Sequence, residues 1–356
     1  MHLLVDISAH GYGHIAQTAP VLNLLAQRIP GLRLTVRSHA SNDYLSQRIL
    51  HPFEHIHIAL DFGMAMFDAV RVDVPRSLAV YRDYHAAWPD KVAAAAEAMR
   101  ALQPDLLLAN VPYLSLAAAK VAGIPSVAMC CLNWAGIYRH YAPDDVEAAG
   151  IHAQMLEAYN SSGKFLKVSP TMPMNDLHNT REVACIAQVG RANRQLLQQR
   201  CGAAEADRLV MVAMGGIEYR LSMERWPVIP GVRWLVPEAW DIRRDDVTAF
   251  ESTGLGFRDV LASCDAILTK PGYGTFAEAA CAGVPVMYVS RGGWPEAPYL
   301  VDWVRQYGVA VEIEPVRLQT GALHEVLAAL WSKQSAALPQ NTGAAEVVET
   351  LCEMLT

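Results

Sequence analysis

Short apolar runs alternate along this chain with stretches whose apolar residues recur at helical spacing. Residues 2–8 (His-Leu-Leu-Val-Asp-Ile-Ser) read as a first strand. His10-Gly-Tyr-Gly-His14 then turns into a helix reaching about Arg28, with Ala16, Ala19, Leu22 and Leu25 on one side. A second strand spans 32–38, and the alternation His55-Ile-His-Ile-Ala-Leu60 gives way to a polar, less regular passage. An alanine-rich helix over 90–102 stops before Pro104, followed by a strand at 106–109, a helix at 113–122 and a strand at 126–131. Strands alternating with helices predict a parallel α/β sheet.

Between 168 and 182 the period lapses, and Ser169-Pro-Thr-Met-Pro-Met-Asn-Asp reads as a linker. Beyond it come a helix at 193–200, a strand at 208–213 ending in Met214-Gly-Gly216, a strand at 232–236 and a helix at 257–263. Next is a compact unit: a buried strand at 266–269, a glycine loop at 271–274, a small-residue helix at 275–281 stopped by Gly283, and a strand at 285–289. A helix at 299–307, a strand at 310–313 and helices at 323–331 and 344–354 complete the chain. At an offset of 160 residues, 105–125 overlays 265–285, with Asp105/Asp265, Leu108/Leu268, Tyr113/Tyr273, Ala122/Ala282, Gly123/Gly283 and Pro125/Pro285 coinciding. Two copies of one strand–helix–strand unit predict two Rossmann-like domains. Only the second copy is polar: Lys270, Gly272, Gly274 and Glu278 stand where the first has Asn110, Pro112, Leu114 and Ala118.

Composition excludes several classes. With 356 residues, 52% of them apolar and 18% charged, the chain is globular and long enough for two domains. A formal charge of −7 argues against a broad attraction to nucleic acid or anionic lipid. The seven cysteines form an odd set without a CxxC pair and read as reduced core thiols; no His-rich spacing calls for a metal. The first residues run straight into a strand, too short for a signal segment. The most apolar longer stretch, 114–137, is broken by Lys120, Gly123, Pro125 and Asn133, so no transmembrane segment is expected and the expected location is cytoplasmic.

Candidate chemistry gathers at the loops after strands. Gly11-Tyr-Gly-His-Ile-Ala16 fits a G-x-G-x-x-A dinucleotide pattern, but the second strand ends Val36-Arg-Ser-His39 without the acid that NAD requires. An NADP reading would rest on Arg37, and a plainer one on glycines that let the strand turn sharply. A third places His14 in the crevice beyond the strand ends as a general base, with His10, Gly11 and Gly13 beside it on the acceptor side; the alternative is a histidine that merely satisfies the loop. Gly215 and Gly216 let backbone amides approach a diphosphate, or form a plain turn. Gly272, Tyr273, Gly274 and Thr275 form a second such loop, and Glu278, one turn further on, can accept ribose hydroxyls unless it is simply an exposed helix glutamate. Lys270 and Arg291 are candidates for phosphate, or ordinary surface charges. Glu296 is a candidate for sugar hydroxyls and Trp294 for a sugar or base face, the alternative being a packing wedge.

Together these residues resemble the GT-B glycosyltransferases. The run from Lys270 to Glu278, continued by Ala282-Gly-Val-Pro285, is similar to the nucleotide motif of the peptidoglycan N-acetylglucosaminyltransferase family. There a Glu at the position of Glu278 holds the uridine ribose, and a glycine-His loop like Gly13-His14 lies near the acceptor. That family's donor-sugar loop ends in paired Gln, where this chain has Trp294-Pro-Glu296. The glycosyltransferase-like N-terminal region of plant-type L-arabinokinases is matched over nearly the whole chain, through His10–His14, Asp61-Phe-Gly, Asn133-Trp-Ala-Gly-Ile-Tyr138, Met172-Pro-Met174, Gly272–Thr275 and Glu296-Ala-Pro-Tyr-Leu300. Residues 1–356 contain no counterpart of the sugar kinase that follows it there, so the resemblance does not extend to arabinose phosphorylation.

What the resemblance implies is an α/β GT-B fold, two Rossmann-like domains with parallel sheets facing across a cleft. Residues 1–170 are expected to form an acceptor domain, 171–185 a linker, 186–338 a donor domain, and 339–356 a helix returning to the first domain. The expected activity is metal-independent transfer of a sugar from a nucleotide diphosphate, UDP-linked, to an unidentified acceptor. The nucleotide sugar is a co-substrate, and no other cofactor is expected. An epimerase or hydrolase on the same fold, and a non-catalytic nucleotide-sugar-binding module, are the alternatives.

Overall fold

The computed structural model describes residues 1–216, 219–333 and 337–355; Thr356, the end of the expected returning segment, lies outside the described residues. The first half runs β1 (His2–Ile7), α1 (Gly13–Arg28), β2 (Arg33–Ser38), α2 (Asn42–Arg48), β3 (Glu54–His57), α3 (Val74–His85), α4 (Trp88–Leu102), β4 (Leu106–Asn110), α5 (Tyr113–Ala122), β5 (Ser126–Cys130), α6 (Trp134–Tyr141), α7 (Val146–Asn160), β6 (Lys164–Val168) and β7 (Thr180–Val183). The second runs α8 (Arg194–Cys201), β8 (Arg208–Val212), β9 (Val232–Val236), β10 (Val247–Ala249), α9 (Phe257–Ser263), β11 (Ala266–Thr269), α10 (Tyr273–Ala282), β12 (Val286–Val289), α11 (Ala297–Tyr307), β13 (Ala310–Ile313), α12 (Pro315–Thr320) and α13 (His324–Trp331). Helix α14 (Gly343–Leu355) then packs against α1 and β7, burying Val347, Val348 and Leu351.

Both sheets are parallel and share one strand order. The first is β3-β2-β1-β4-β5-β6-β7 and the second β10-β9-β8-β11-β12-β13. Each reverses direction between its first and fourth strands, the switch point at which open α/β sheets bind ligands. The 160-residue repeat is real structure: α5 and α10 begin at Tyr113 and Tyr273 and end at left-handed Gly123 and Gly283. Asp105 Oδ2 accepts from the amide of His2 at 2.7 Å, and Asp265 Oδ2 from the amide of Leu209 at 2.7 Å, so matching aspartates pin the first strand of each sheet.

Two sequence readings change. The stretch expected as linker contains β7, which extends the first sheet beyond β6. Its Thr-Arg-Glu-Val buries only Val183, so this edge strand has no apolar period to read. The NADP reading also falls. Asp6 and Arg37 are directly paired residues of β1 and β2, and the guanidinium spends Nε and Nη2 on the two carboxylate oxygens at 2.7 and 2.5 Å. Both side chains are buried.

Removing one partner of such a pair strands a charge in the core. Arg37→Ala is therefore expected to lower stability by about 3–5 kcal/mol in denaturant unfolding, and Asp6→Leu with Arg37→Met to restore most of it.

Candidate functional site

The C-terminal ends of the two sheets face one another, and the loops leaving them enclose a cavity of about 850 Å³. Apart from Arg37, the residues singled out from the sequence line it: His10, Gly11, Gly13 and His14 from the first half, and Gly215, Gly216, Lys270, Gly272–Thr275, Glu278, Arg291, Trp294 and Glu296 from the second. What brings them together is a close approach of helix ends. A Cβ on Gly274 would stand 2.9 Å from the Cβ of Ala16, so α1 and α10 meet at this depth only because Gly274 has no side chain. Gly11-Tyr-Gly-His-Ile-Ala16 and Gly272-Tyr-Gly-Thr-Phe-Ala277 are the same G-Y-G-x-x-A pattern, one on each side of the cleft. That twin motif was the available signal for the contact.

Positive charge collects where the second half's loops converge. Gly215, at φ +81°, and Gly272 both lie beside the Lys270 ammonium, close enough that a Cβ on either would touch Nζ at 3.6 and 3.5 Å. The N-cap of α10 is Gly272, without a capping side chain, which leaves the helix's first amides open. Lys270 is nine-tenths buried; desolvation, then the charge of Arg291, pull its ammonium down to about 7. Arg291 is also pulled down by desolvation, to about 10, and its guanidinium lies 3.9 Å over the ring of Trp294 with Nε and Nη2 unpartnered. Glu296 is the acid that opposes them. Its carboxylate accepts from the Cys131 thiol of the first half at 2.9 Å and from the Trp294 indole at 3.0 Å.

Several contacts differ from the sequence reading. Trp294 does not offer an open face, since His10 stacks on it at 5.4 Å and Arg291 lies over it. Tyr273 turns its ring away from the loop, its hydroxyl donating to the Ser169 carbonyl and accepting from the Ile186 amide, both at 2.9 Å. Glu278 is buried, not exposed, and its Oε1 accepts from Arg48 of α2 at 2.5 Å. Burial raises its carboxyl, with Arg48 and then Arg258 working against the rise. Neither arginine was found from the sequence. Arg48 ends a short polar helix that lacks an apolar period, and Arg258 is one charge among many until the fold brings it to the cavity.

His14 sits at the first turn of α1 with Nδ1 2.8 Å from Asn110 Oδ1. The Asn110 amide nitrogen donates to Gln17 and Thr18, each at 3.1 Å, which orients its oxygen toward the imidazole and keeps the proton on Nδ1. Nε2 is then the nitrogen left for a ligand. Burial would push this imidazole down, but Cys130, 3.6 Å from Nδ1, together with Asn110 and Asp61, outweighs it and raises His14 to about 9. Burial pushes the Cys130 thiol up, and the Cys131 thiol and His14 bring it down to about 6. Asp61 bonds neither histidine. It accepts from Ser8 Oγ and the Ala9 amide at 2.9 Å and from the Trp134 indole at 2.8 Å, fixing the loop that carries His10. His10 itself is held well below the usual imidazole range by burial and by the charge of Arg291, and is neutral.

No model of a known protein family matches the chain. Over 325 residues, 86% of its length, it is 26% identical to L-arabinokinase of Arabidopsis thaliana, and the match spans 30% of that protein. Its structure is similar to the calicheamicin glycosyltransferase CalG4, with a TM-score of 0.64 at 16% identity over 99% of this chain and 98% of that one. A TM-score of 0.60 at 15% identity relates it, over the full length of both chains, to UGT89C1 of Arabidopsis thaliana complexed with UDP. No helix among the described residues is long and apolar enough to cross a membrane. Two parallel sheets of matched order with a cleft between their C-terminal edges, and these likenesses, make the fold GT-B.

Proposed function

We propose that this protein transfers a sugar from a nucleoside diphosphate, UDP-linked, to an acceptor hydroxyl. One observation carries the reading: two buried cations, Lys270 and Arg291, stand with one buried acid, Glu296, at the open N-terminus of α10 between two glycine loops. Burying that charge is costly unless an anion arrives to balance it, and a diphosphate matches the site in charge and in its demand for backbone donors. On this reading residues 186–338 form the donor unit, and residues 1–170 with the returning segment 339–356 form the acceptor unit. The pyrophosphate lies over Gly215, Gly216, Gly272, Tyr273, Gly274 and Thr275, the ribose at Glu278, and the donor sugar toward Glu296.

Transfer then needs three things of the chain. The acceptor oxygen attacks the anomeric carbon while His14 Nε2 takes its proton. The bond from that carbon to the phosphate oxygen breaks, and the electron pair leaves with the diphosphate. Lys270, Arg291 and the α10 amides meet the charge that develops there, and they are already oriented to do so. The likeness in fold to the calicheamicin glycosyltransferase and to UGT89C1 complexed with UDP supports this reading, and the acceptor stays open.

Lys270 supplies a pH signature. In the free protein its ammonium is lost above about pH 7, and a bound diphosphate raises it again. Calorimetry of UDP binding at pH 8, in buffers of different ionisation enthalpy, should show uptake of close to one proton; Lys270→Met should abolish the uptake and weaken binding. His14→Ala should leave UDP affinity intact and slow transfer by about 10²–10⁴. A base raised to about 9 must lose a proton before it can act, so the wild-type rate should climb with pH toward that value. Cys130→Ala removes the neighbour that raises His14, and should move the climb to lower pH.

A further inference from the structure

Helix α1 carries His14, Gln17 and Thr18 on one face, a turn apart. Asn110, at the end of β4, meets all three. Its Oδ1 lies 2.8 Å from His14 Nδ1, and its Nδ2 donates to Gln17 Oε1 and to Thr18 Oγ1, each at 3.1 Å. Gln17 passes the pattern on, its Nε2 donating to Cys131 Sγ at 2.9 Å. Cys131 follows β5, and its thiol donates at 2.9 Å to Oε1 of Glu296, the N-cap residue of α11 across the cleft. Every bond points the same way, from His14 through Asn110, Gln17 and Cys131 to a carboxylate in the other half. All five residues are buried. Burial, then the Cys130 thiol and the charge of Glu296, hold the Cys131 thiol well above its ordinary range, so it keeps the proton that it donates.

We infer that Gln17 and Cys131 are positioning residues that carry the influence of Glu296 to the base His14, so that the base is fully set only with the second half in place. The inference rests on the reading given above, with His14 as base and Glu296 on the donor side. Hydrogen bonds in a chain polarise one another, and an anion at the accepting end draws every donor toward it. A carboxamide holds its oxygen and its nitrogen at opposite corners, so Asn110 and Gln17 cannot reverse the direction without breaking bonds on both sides. What the relay carries is orientation and polarisation, not a proton: it keeps hydrogen on Nδ1 and leaves Nε2 for the acceptor hydroxyl. Three of its four bonds lie within the first half, and the fourth, from Cys131 to Glu296, crosses the cleft. Opening the cleft breaks that bond, and the base loses the carboxylate at the end of its chain. A donor seated against Glu296 and a base ready to act are thereby parts of one network.

The test is a double-mutant cycle on the intact chain, read by nitrogen NMR titration of His14. The titratable groups that face His14 are Cys130 at 3.6 Å, Asp61 and His10, and all stay unchanged. Glu296→Gln removes the charge at the far end and should lower the His14 midpoint. Attraction through space acts alike whether or not the relay is intact, so any difference between backgrounds belongs to the relay. In a Gln17→Met background, where the relay is cut in the middle, the same substitution should shift the midpoint by about half as much or less. Equal shifts in the two backgrounds, or no shift in either, overturn the inference. The next link serves if Gln17→Met fails to fold: Cys131→Ala should reduce the response to Glu296→Gln and Cys131→Ser, which keeps a donor and an acceptor, should retain it. Equal responses in those two overturn the inference as well. Failure of UDP to bind in calorimetry overturns the nucleotide reading and the relay's catalytic role with it, whereas UDP binding with equal shifts overturns this inference alone.

Discussion

Everything in the cleft depends on how closely α1 and α10 approach. Helices normally stand 8–10 Å apart, at a distance set by the side chains between them. Here Gly274 removes one of those side chains and Ala16 offers only a methyl, so the first turns of two helices from different sheets come into direct contact. That contact sets the spacing at which Arg48 reaches Glu278, Cys131 reaches Glu296, and His10 reaches Trp294. A bulkier residue at 274 would not merely loosen packing. It would separate each of these cross-cleft pairs at once.

The contacts divide the cavity electrostatically. Lys270 and Arg291 share Glu296, and Arg48 and Arg258 share Glu278, so each end holds more positive than negative charge. Yet the chain as a whole carries −7. A local excess of buried cations inside an acidic protein cannot come from composition. It comes from topology, which brings loops after β8, β11 and β12 to one edge together with the end of α2. Ordinary surface charges do not lose their protons near neutrality, and the low position of Lys270 measures how far this site departs from water.

Much of the fold was legible because parallel strands buried on both faces are written as short apolar runs, and the helix 113–122 and its counterpart could be aligned residue by residue. What escaped was polar. Helix α2 reads Asn-Asp-Tyr-Leu-Ser-Gln-Arg and is started by the Ser41 side chain accepting from the Tyr44 amide; edge strand β7 buries one residue of four. The candidate residues were legible as positions in the loops after strands or the first turns of the helices that follow, and all but Arg37 line one cavity. Their partners were not. Nothing near Glu278 in sequence announces Arg48, and nothing near His14 announces Asn110 and Cys130, because each pair is closed by tertiary structure.

Tyr273 shows what this closure means mechanically. It follows Gly272 directly in the loop beside Lys270, yet its hydroxyl grips the backbone at Ser169, just after β6, and at Ile186, where the chain has just left β7 for the second sheet. The residue that shapes the loop is thus also tied to the far edge of the other sheet. A displacement of that loop is therefore felt at the end of β6 and beyond β7, and a displacement there is felt at the loop, each biasing the other equally.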